Sequence, residues 1–314
     1  MDIDIRPYVQ GTDDEAWVNI ANEAWAFDPE DVPTTVERFR VHQKAPDFSA
    51  AGRFVAELDG TPVGTANADI DPKGRDDYGW LNLQVLPSHQ RKGVGTALYQ
   101  RARASFLERG VSLVRTGSSE INKAGTSFIT KHGFKQVRTF SQLKRPLTDL
   151  PSGIGEFPNP DVRVLGRTKE DARLLTQLSN DAFSEHYLHR DSEPDEEEFW
   201  QEHAKDIGYQ DWTMVVRCEG EDAGFVIHGF NPEENRHLNR REGWLFSLGV
   251  LKRFRNRGIA KALMLEAMRD LADRGMETAA LGVDDTNVTH AIHLYERVGF
   301  KVSRKSFTFE RRLV

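Results

Sequence analysis

Residues 243–275 read GWLFSLGVLKRFRNRGIAKALMLEAMRDLADRG and contain three parts in order. The first part is a short apolar run that ends at Val250, the right length for a buried strand. The last part is an amphipathic pattern that places Ile259, Leu263 and Leu271 on one helix face. The stretch therefore predicts a strand, a turn and a helix.

The turn between this strand and this helix is suited to an anion. Gly258 lets the backbone approach a ligand closely, and the first N–H groups of a helix are unpaired and partially positive. Four of the six residues from Lys252 to Arg257 are cationic, in a chain whose net charge is -7. This concentration of charge indicates a phosphate group, although a solvated basic loop before an ordinary helix has the same composition.

A second copy of the arrangement lies earlier in the chain. The apolar run LNLQV ends at Val85 and is followed by the turn QRKGVG and a helical pattern. Gly93 and Gly258 are 165 positions apart, and Gly133 and Gly299, each followed by Phe, are 166 positions apart. An internal repeat of this length predicts two similar domains rather than a solenoid of short units.

The repeated pattern is Gln/Arg-x-x-Gly-x-Gly/Ala after a strand, followed in the second half by Asn, Tyr and Gly-Phe. It resembles the GCN5-related N-acetyltransferase (GNAT) superfamily in both halves, so the chain resembles a tandem acetyltransferase, a layout that mycothiol synthase shares. The resemblance implies an α/β fold in which each domain is a mixed, mainly antiparallel sheet flanked by helices and opened between its fourth and fifth strands. We expect an N-terminal domain at 1–148, a linker at 149–160 and a C-terminal domain at 161–314.

The resemblance also implies acetyl-CoA as a cosubstrate. In the family, coenzyme A lies beside the fourth strand and its pyrophosphate lies on the turn that follows. In the second half this maps onto Leu248, Gly249, Val250, Arg255, Asn256, Arg257, Gly258, Ile259, Ala260 and Asn287. In the first half it maps onto Val85, Gln90, Arg91, Lys92, Gly93, Val94 and Gly95.

Acetyl transfer needs a proton donor for the departing thiolate and a base for the attacking amine. The resemblance assigns the donor role to Tyr295, and a phenol with a pKa of about 10 is a plausible acid for a thiol leaving group. For the base we favour Glu242, just before the central strand. His228, Asp284 and Asp285 are alternatives, each able to act through a water molecule.

The first half departs from the family pattern at the position of the proton donor. It keeps Gln90, Gly93 and Gly95, but Ile129 stands where Tyr295 stands in the second half, four positions before the Gly-Phe pair. An isoleucine side chain cannot donate a proton. We therefore expect catalysis in the second domain, while the first binds coenzyme A without turnover or supports the fold and the substrate cleft.

The expected function is an acetyl-CoA-dependent N-acetyltransferase that moves an acetyl group to a primary amine by direct attack in a ternary complex. The alternatives are an acyl-CoA-binding sensor and an aminothiol acetyltransferase similar to mycothiol synthase. The acceptor is a small-molecule or peptide amine that the sequence does not identify, since this fold carries acceptor contacts on variable loops. Oligomeric state is likewise not indicated.

Composition narrows the range of possible partners and cellular locations. The pI near 5.8 argues against nucleic acid, no apolar run approaches the ~20 residues of a membrane span, and the N-terminus lacks the apolar region of a signal peptide. The single Cys218 cannot form an internal disulfide and lies in an apolar strand pattern. We expect a cytoplasmic protein without a metal, because the spacing of His186 and His189 has no further Cys/His cluster to support it.

Overall fold

The computed structural model describes residues 2–71, 73–74, 77–150, 161–187, 189–286 and 291–313. The chain forms two compact units. Unit 1 comprises residues 1–138 and 306–314, and unit 2 comprises residues 139–305.

In its described residues, unit 1 contains one sheet and four α-helices. Its strands are β1 (Ile3–Pro7), β2 (Arg53–Leu58), β3 (Thr61–Asp69), β4 (Tyr78–Val85), β5 (Leu113–Ser119) and the final strand of the chain, β12 (Lys301–Arg312), in the order β1-β2-β3-β4-β5-β12. Its helices are α1 (Asp14–Trp25), α2 (Val36–His42), α3 (Val94–Glu108) and α4 (Lys123–Lys131). The pair β4–β5 is parallel and the other described pairs are antiparallel.

Unit 2 repeats this plan. Its strands are β6 (Lys135–Pro146, from residue 139 onward), β7 (Asp161–Val164), β8 (Gln210–Cys218), β9 (Glu221–Phe230), β10 (Glu242–Val250) and β11 (Thr278–Asp284), in the order β6-β11-β10-β9-β8-β7. Its helices are α5 (Lys169–Phe183), α6 (Pro194–His203), α7 (Pro232–His237), α8 (Ile259–Asp273) and α9 (Ala291–Arg297). Here β10–β11 is the parallel pair.

Each unit is completed by a strand from the other half of the sequence. In unit 1, β12 pairs with β5 and sets Phe309 opposite Thr116. In unit 2, β6 pairs with β11 and sets Leu143 opposite Leu281. From the sequence we expect domains at 1–148 and 161–314 with a linker at 149–160, of which 151–160 lie outside the described residues. The compact units divide differently because β6 pairs with β11 in unit 2, and β12 pairs with β5 in unit 1.

The two parallel pairs are short, and this creates a gap in each sheet. In unit 2, residues 242–245 pair with 278–281, after which β10 runs on to Val250 and β11 to Asp284 with no further register between them. In unit 1, residues 78–80 pair with 113–115, and β4 then runs on to Val85. This is the opening between the fourth and fifth strands that the resemblance implies.

The helix after each gap packs on the sheet as its sequence predicts. The apolar face of α8, with Ile259, Leu263, Ala267 and Leu271, is buried in the core of unit 2. In unit 1, Leu98 and Phe106 of α3 are buried in the corresponding core. The packing fixes the start of each helix at the mouth of its gap.

Candidate active site

Strand β10 is irregular beside its gap. Leu245 pairs with His228 of β9 and Ser247 pairs with Ile227, so Phe246 is an extra residue in this register. A β-bulge of this kind takes one residue out of the hydrogen-bonded ladder and turns the strand. In unit 1, β4 pairs with β3 without a shift, from Gly64 opposite Val85 to Asp69 opposite Trp80. The bulged fourth strand therefore distinguishes unit 2 from unit 1.

The turn after β10 presents backbone N–H groups. Gly258 caps α8 with a left-handed φ of 79°, and Asn256 is also left-handed, with φ 63°. The N–H of Ala262 bonds to the carbonyl of Gly258 at 3.0 Å, so the helical N–H groups before it have no intrahelical acceptor. Such a turn forms a concave anion-binding surface at the positive end of a helix.

The same turn occurs in unit 1. Gly93 caps α3 with φ 93°, Arg91 has φ 62°, and the N–H of Ala97 bonds to the carbonyl of Gly93 at 3.0 Å. Left-handed backbone at a non-glycine residue costs ~1–2 kcal/mol, so its presence at the same place in both copies indicates a constrained turn. Both units therefore keep the backbone geometry that suits a pyrophosphate.

The side chains of the two turns differ in charge pairing. In unit 2 the cations lie against carboxylates, and these ion pairs are Lys252–Glu185 at 2.7 Å, Arg253–Glu221 at 2.5 Å, Arg255–Glu185 at 3.0 Å and Arg257–Glu219 at 2.8 Å. In unit 1 the corresponding Arg91 and Lys92 are exposed and form no ion pair with any described residue. The basic cluster of unit 2 is thus largely neutralised by its neighbours.

The side chain of the first residue in each turn motif forms hydrogen bonds that stabilise the turn. Arg255 donates from Nε to the Val250 carbonyl at 3.2 Å and from Nη2 to the Ala182 carbonyl at 2.9 Å. Gln90 donates from Nε2 to the Val85 carbonyl at 3.2 Å. Both side chains close the turn onto the end of its strand, and Arg255 also ties it to the last turn of α5.

Tyr295 lies on α9, the helix that follows β11. Its side chain is 9% exposed, and its ring meets Phe300 edge-on with centroids 6.3 Å apart. Burial raises the pKa of Tyr295 to about 12, because the phenolate is poorly solvated there. The phenol therefore keeps its proton to a higher pH than a free tyrosine does, and in that form it can donate a hydrogen bond. Asn287, the expected pantetheine contact, lies outside the described residues.

Glu242, the favoured base, is buried and ion-paired. It is 4% exposed, and its carboxylate oxygens lie 3.0 Å from Lys144 Nζ and 3.0 Å from Arg240 Nη2. A side chain added at the next residue, Gly243, would meet Leu271 of α8, so alternation places Glu242 on the face of β10 away from α8. Contact with an amine would require one of these ion pairs to open.

His228 lies on the opposite face. It is fully buried, and its Nε2 lies 2.7 Å from Asp270 Oδ2 on α8. Burial lowers the pKa of His228, and the hydrogen bond to Asp270 partly offsets that effect. His228 and Glu242 are therefore separated by the sheet and do not act as one catalytic group.

The remaining candidate bases are at the end of β11 and just beyond it. The Asp284 carboxylate accepts hydrogen bonds from the Thr286 N–H at 2.9 Å and the Thr286 hydroxyl at 2.8 Å. Asp285 lies 3.6 Å from Lys305 Nζ. Both groups already have local partners at this end of the strand.

His186 and His189, which have the spacing of a metal-binding pair, have separate neighbours. His189 lies 2.8 Å from Asp191, and His186 packs on the ring of Phe183 with centroids 4.7 Å apart. Across the described ranges no three His, Cys, Asp or Glu side chains come together in a way that could hold a metal ion. Within the same ranges no helix has the length and apolarity needed to cross a membrane.

Comparison with known proteins identifies the family. The model of the acetyltransferase (GNAT) family matches residues 15–134 and 175–300. The chain belongs to the GNAT family. Both units carry a match, so the expected tandem GNAT architecture is confirmed, and the protein is an acetyltransferase.

Relatives of this GNAT protein cover most of its length. It is 28% identical over 284 residues to a mycothiol acetyltransferase of Rhodococcus erythropolis, covering 84% of this chain and 86% of the relative. It is 29% identical over 297 residues to a mycothiol acetyltransferase of Salinispora tropica, covering 92% and 89%.

Solved GNAT structures share the fold. A tandem GNAT protein from the clavulanic acid biosynthesis pathway superposes with a TM-score of 0.74 at 13% identity, covering 100% of this chain and 99% of that one. A GCN5-related N-acetyltransferase from Sphaerobacter thermophilus gives a TM-score of 0.71 at 20% identity, covering 99% and 96%.

The sequence analysis did not identify Arg145, which lies close to the helix of Tyr295. Arg145 is buried and donates to the carbonyl of Val298 just beyond α9. Arg311 makes the corresponding bond to the carbonyl of His132 at the end of α4 in unit 1. The two arginines are 166 positions apart, the same spacing as Gly133 and Gly299, and extending the repeat through the last strands would have found them.

Proposed function

We propose that unit 2 transfers the acetyl group of acetyl-CoA to a primary amine by direct attack in a ternary complex. The observation that carries the proposal is the gap between β10 and β11, which has a bulge at Phe246 on one side and leads to the helix of Tyr295 on the other. Enzymes of the GNAT family generally use acetyl-CoA, and a thioester in this gap would lie between a backbone donor and a phenol.

The cosubstrate is held mainly by backbone. The turn with Asn256 and Gly258 offers N–H groups to the pyrophosphate, and residues 248–250 run beside the gap, where the pantetheine would lie. The paired cations Arg253 and Arg257 are exposed enough to exchange their carboxylate partners for a phosphate, because surface ion pairs contribute only ~0–1 kcal/mol.

The chemical step is a displacement at the thioester carbonyl. The neutral amine nitrogen attacks the carbonyl carbon, a C–N bond forms, and the oxygen gains negative charge that a backbone N–H at the bulge stabilises. The C=O bond re-forms as the C–S bond breaks, and the sulfur takes the electron pair of that bond and the proton of the Tyr295 hydroxyl. The phenolate then recovers a proton from solvent. The surplus proton of the amine passes to a base and then to solvent.

Tyr295 suits this role although its pKa is raised. The low-polarity surroundings that raise the phenol pKa to about 12 also make a thiolate more basic, so donor and acceptor remain matched. For the base we keep Glu242, which lies on the face of β10 away from α8. Lys144 and Arg240 orient its carboxylate, and the amine or a bridging water would displace one of them.

For the acceptor we propose an amine that also carries a thiol. Its support is the likeness over most of the chain to the two curated mycothiol acetyltransferases.

A second proposal concerns unit 1. It has the gap between β4 and β5, the left-handed turn at Gly93 and the exposed cations Arg91 and Lys92, but Ile129 replaces the phenol and its fourth strand is not bulged. These features support binding of coenzyme A without acetyl transfer.

Release of coenzyme A from acetyl-CoA, with mass spectrometry of the product, tests which unit catalyses the reaction and which class of acceptor it uses. Cysteinamide and serinamide serve as a matched pair of acceptors. We expect cysteinamide to be acetylated faster than serinamide. Gly258→Ala, which forces a side chain into a left-handed turn, should lower turnover by ~10²-fold, whereas Gly93→Ala should leave it within about twofold. Loss of turnover in the Gly93→Ala variant alone would place the reaction in unit 1 and contradict the first proposal.

A further inference from the structure

Arg145 is a buried cation whose described hydrogen bonds all go to backbone carbonyls. The residue is 7% exposed and lies on β6 opposite Ala279 of β11. Its Nε donates to the Pro146 carbonyl at 3.0 Å, its Nη2 to the Asp149 carbonyl at 2.9 Å, and its Nη1 to the Val298 carbonyl. A buried guanidinium with these partners clamps the segments that supply them.

One of these segments is the end of the helix that carries Tyr295. The N–H of Val298 bonds to the carbonyls of Leu294 and Tyr295 at 3.0 and 3.1 Å, and the N–H of Phe300 returns to the Tyr295 carbonyl at 3.0 Å. The last carbonyls of a helix lack intrahelical partners and carry partial negative charge. The guanidinium of Arg145 therefore neutralises the end of the turn that begins at Tyr295.

This anchor matters because α9 is short. The described helix has seven residues, and helices shorter than ~12 residues are marginal without tertiary support. Gly299 follows with a φ of 100°, and a side chain added there would stand 3.5 Å from the guanidinium. The arginine thus lies directly against the backbone that ends the helix of Tyr295.

Unit 1 contains an equivalent arginine contact at a helix that has no tyrosine at the position of Tyr295. Arg311 of β12 donates to the His132 carbonyl and, at 2.7 Å, to the Tyr99 hydroxyl, beside Gly133 at the end of α4. The helix held there carries Ile129 at the position of Tyr295. The pair provides an internal control, since both arginines anchor a helix but only one anchors the proposed acid.

We propose that Arg145 is a positioning residue for the reaction, holding the Tyr295 hydroxyl where the thiolate forms. The inference rests on the proposed role of Tyr295 as proton donor. Arg145 bonds to the Val298 carbonyl, so its effect on Tyr295 is transmitted through that carbonyl and the last turn of α9.

The test is a double-mutant cycle on the full chain, with steady-state release of coenzyme A from acetyl-CoA and cysteinamide. Arg145→Gln should lower kcat by ~10- to 100-fold with the KM for acetyl-CoA within about threefold, since misplacing a reacting group by about 1 Å costs this much. In a Tyr295→Phe background the same substitution should cost less than about twofold. Arg311→Gln should leave kcat within about twofold.

The outcomes distinguish a failure of the proposed role of Arg145 from a failure of the proposed role of Tyr295. If Tyr295→Phe alone leaves kcat unchanged, the proposed acid is wrong. If Tyr295→Phe lowers kcat but Arg145→Gln lowers it by the same factor in both backgrounds, Arg145 acts independently of the phenol and the inference is overturned. If Arg145→Gln does not fold, Arg145→Lys replaces it in the same cycle, because an ammonium keeps the charge but cannot span the Val298 and Asp149 carbonyls.

Discussion

Ile129 of α4 and Tyr295 of α9 occupy equivalent positions 166 residues apart, and both side chains are buried, at 8% and 9% exposure. Each lies four residues before a glycine with left-handed φ, Gly133 and Gly299. The two units thus share the backbone at this place and differ in the one group that can donate a proton.

The burial of Tyr295 makes the stability of the protein depend on alkaline pH. Its pKa is about 12 in the folded chain against 10.0 for a free phenol, so the folded state holds this proton more tightly. The resulting contribution is fully present below pH 10 and is lost as pH rises towards 12. We expect Tyr295→Phe to remove a fall of roughly 2–3 kcal/mol in the free energy of unfolding over that range, measured by urea unfolding at successive pH values. An identical alkaline fall in wild type and variant would show that the phenol is not buried in this way.

His228 should make stability depend on acid pH. Burial lowers its pKa, so below about pH 6.5 the unfolded chain takes up a proton that the folded chain refuses. Stability is therefore full above pH 6.5 and falls as pH decreases. His228→Leu should flatten part of this fall below about pH 6.5, and so should His42→Leu, because burial also lowers the pKa of His42. A steeper acid fall in the His228 variant would contradict the neutral state of this side chain.

Two variants distinguish a catalytic role of Glu242 as the base from a structural role in its ion pairs. Glu242→Gln removes the carboxylate that Lys144 and Arg240 share, and should cost on the order of 2 kcal/mol of stability as well as ~10²-fold in kcat. Lys144→Met breaks one pair but keeps the carboxylate, so its kcat should fall by less than about tenfold. Equal losses of kcat in the two variants, at pH values where both are folded, would mean that Glu242 holds the strand and does not take the proton.

The stoichiometry of acetyl-CoA binding distinguishes the two units. Since Gly93 and Gly258 cap their helices in the same left-handed geometry, we expect two sites per chain in a calorimetric titration. Each glycine-to-alanine variant should lose one of them. The site of unit 1 should weaken more steeply with salt, because Arg91 and Lys92 carry no described carboxylate partner. One site that survives Gly93→Ala would show that unit 1 is a scaffold only.

Much of this arrangement could be predicted from local sequence. The strand, the turn at Gly258 and the apolar face of α8 follow from periodicity and from a glycine at a fixed place, because these features depend on neighbours in the chain. The phosphate turn of unit 1 follows from the repeat. The loss of Tyr at position 129 is likewise visible once the two Gly-Phe pairs are aligned.

The rest depends on pairing between distant residues. The bulge at Phe246 arises from the register of β10 against β9, which no local pattern specifies. The carboxylates that neutralise Arg255 and Arg257 come from Glu185 and Glu219, on other elements. The repeat did not predict that β6 pairs with β11 and β12 with β5, because a repeat shows which strands are equivalent but not which sheet each one joins.

The most direct test of the account is kcat for Tyr295→Phe, measured with saturating acetyl-CoA and cysteinamide, beside Ile129→Val as the matched change in unit 1. Removing the hydroxyl of a general acid should lower kcat by ~10²-fold while acetyl-CoA still binds with unchanged stoichiometry, and Ile129→Val should match wild type. A Tyr295→Phe enzyme that turns over at the wild-type rate from pH 6 to pH 10 would contradict the assignment of catalysis to unit 2 through this phenol.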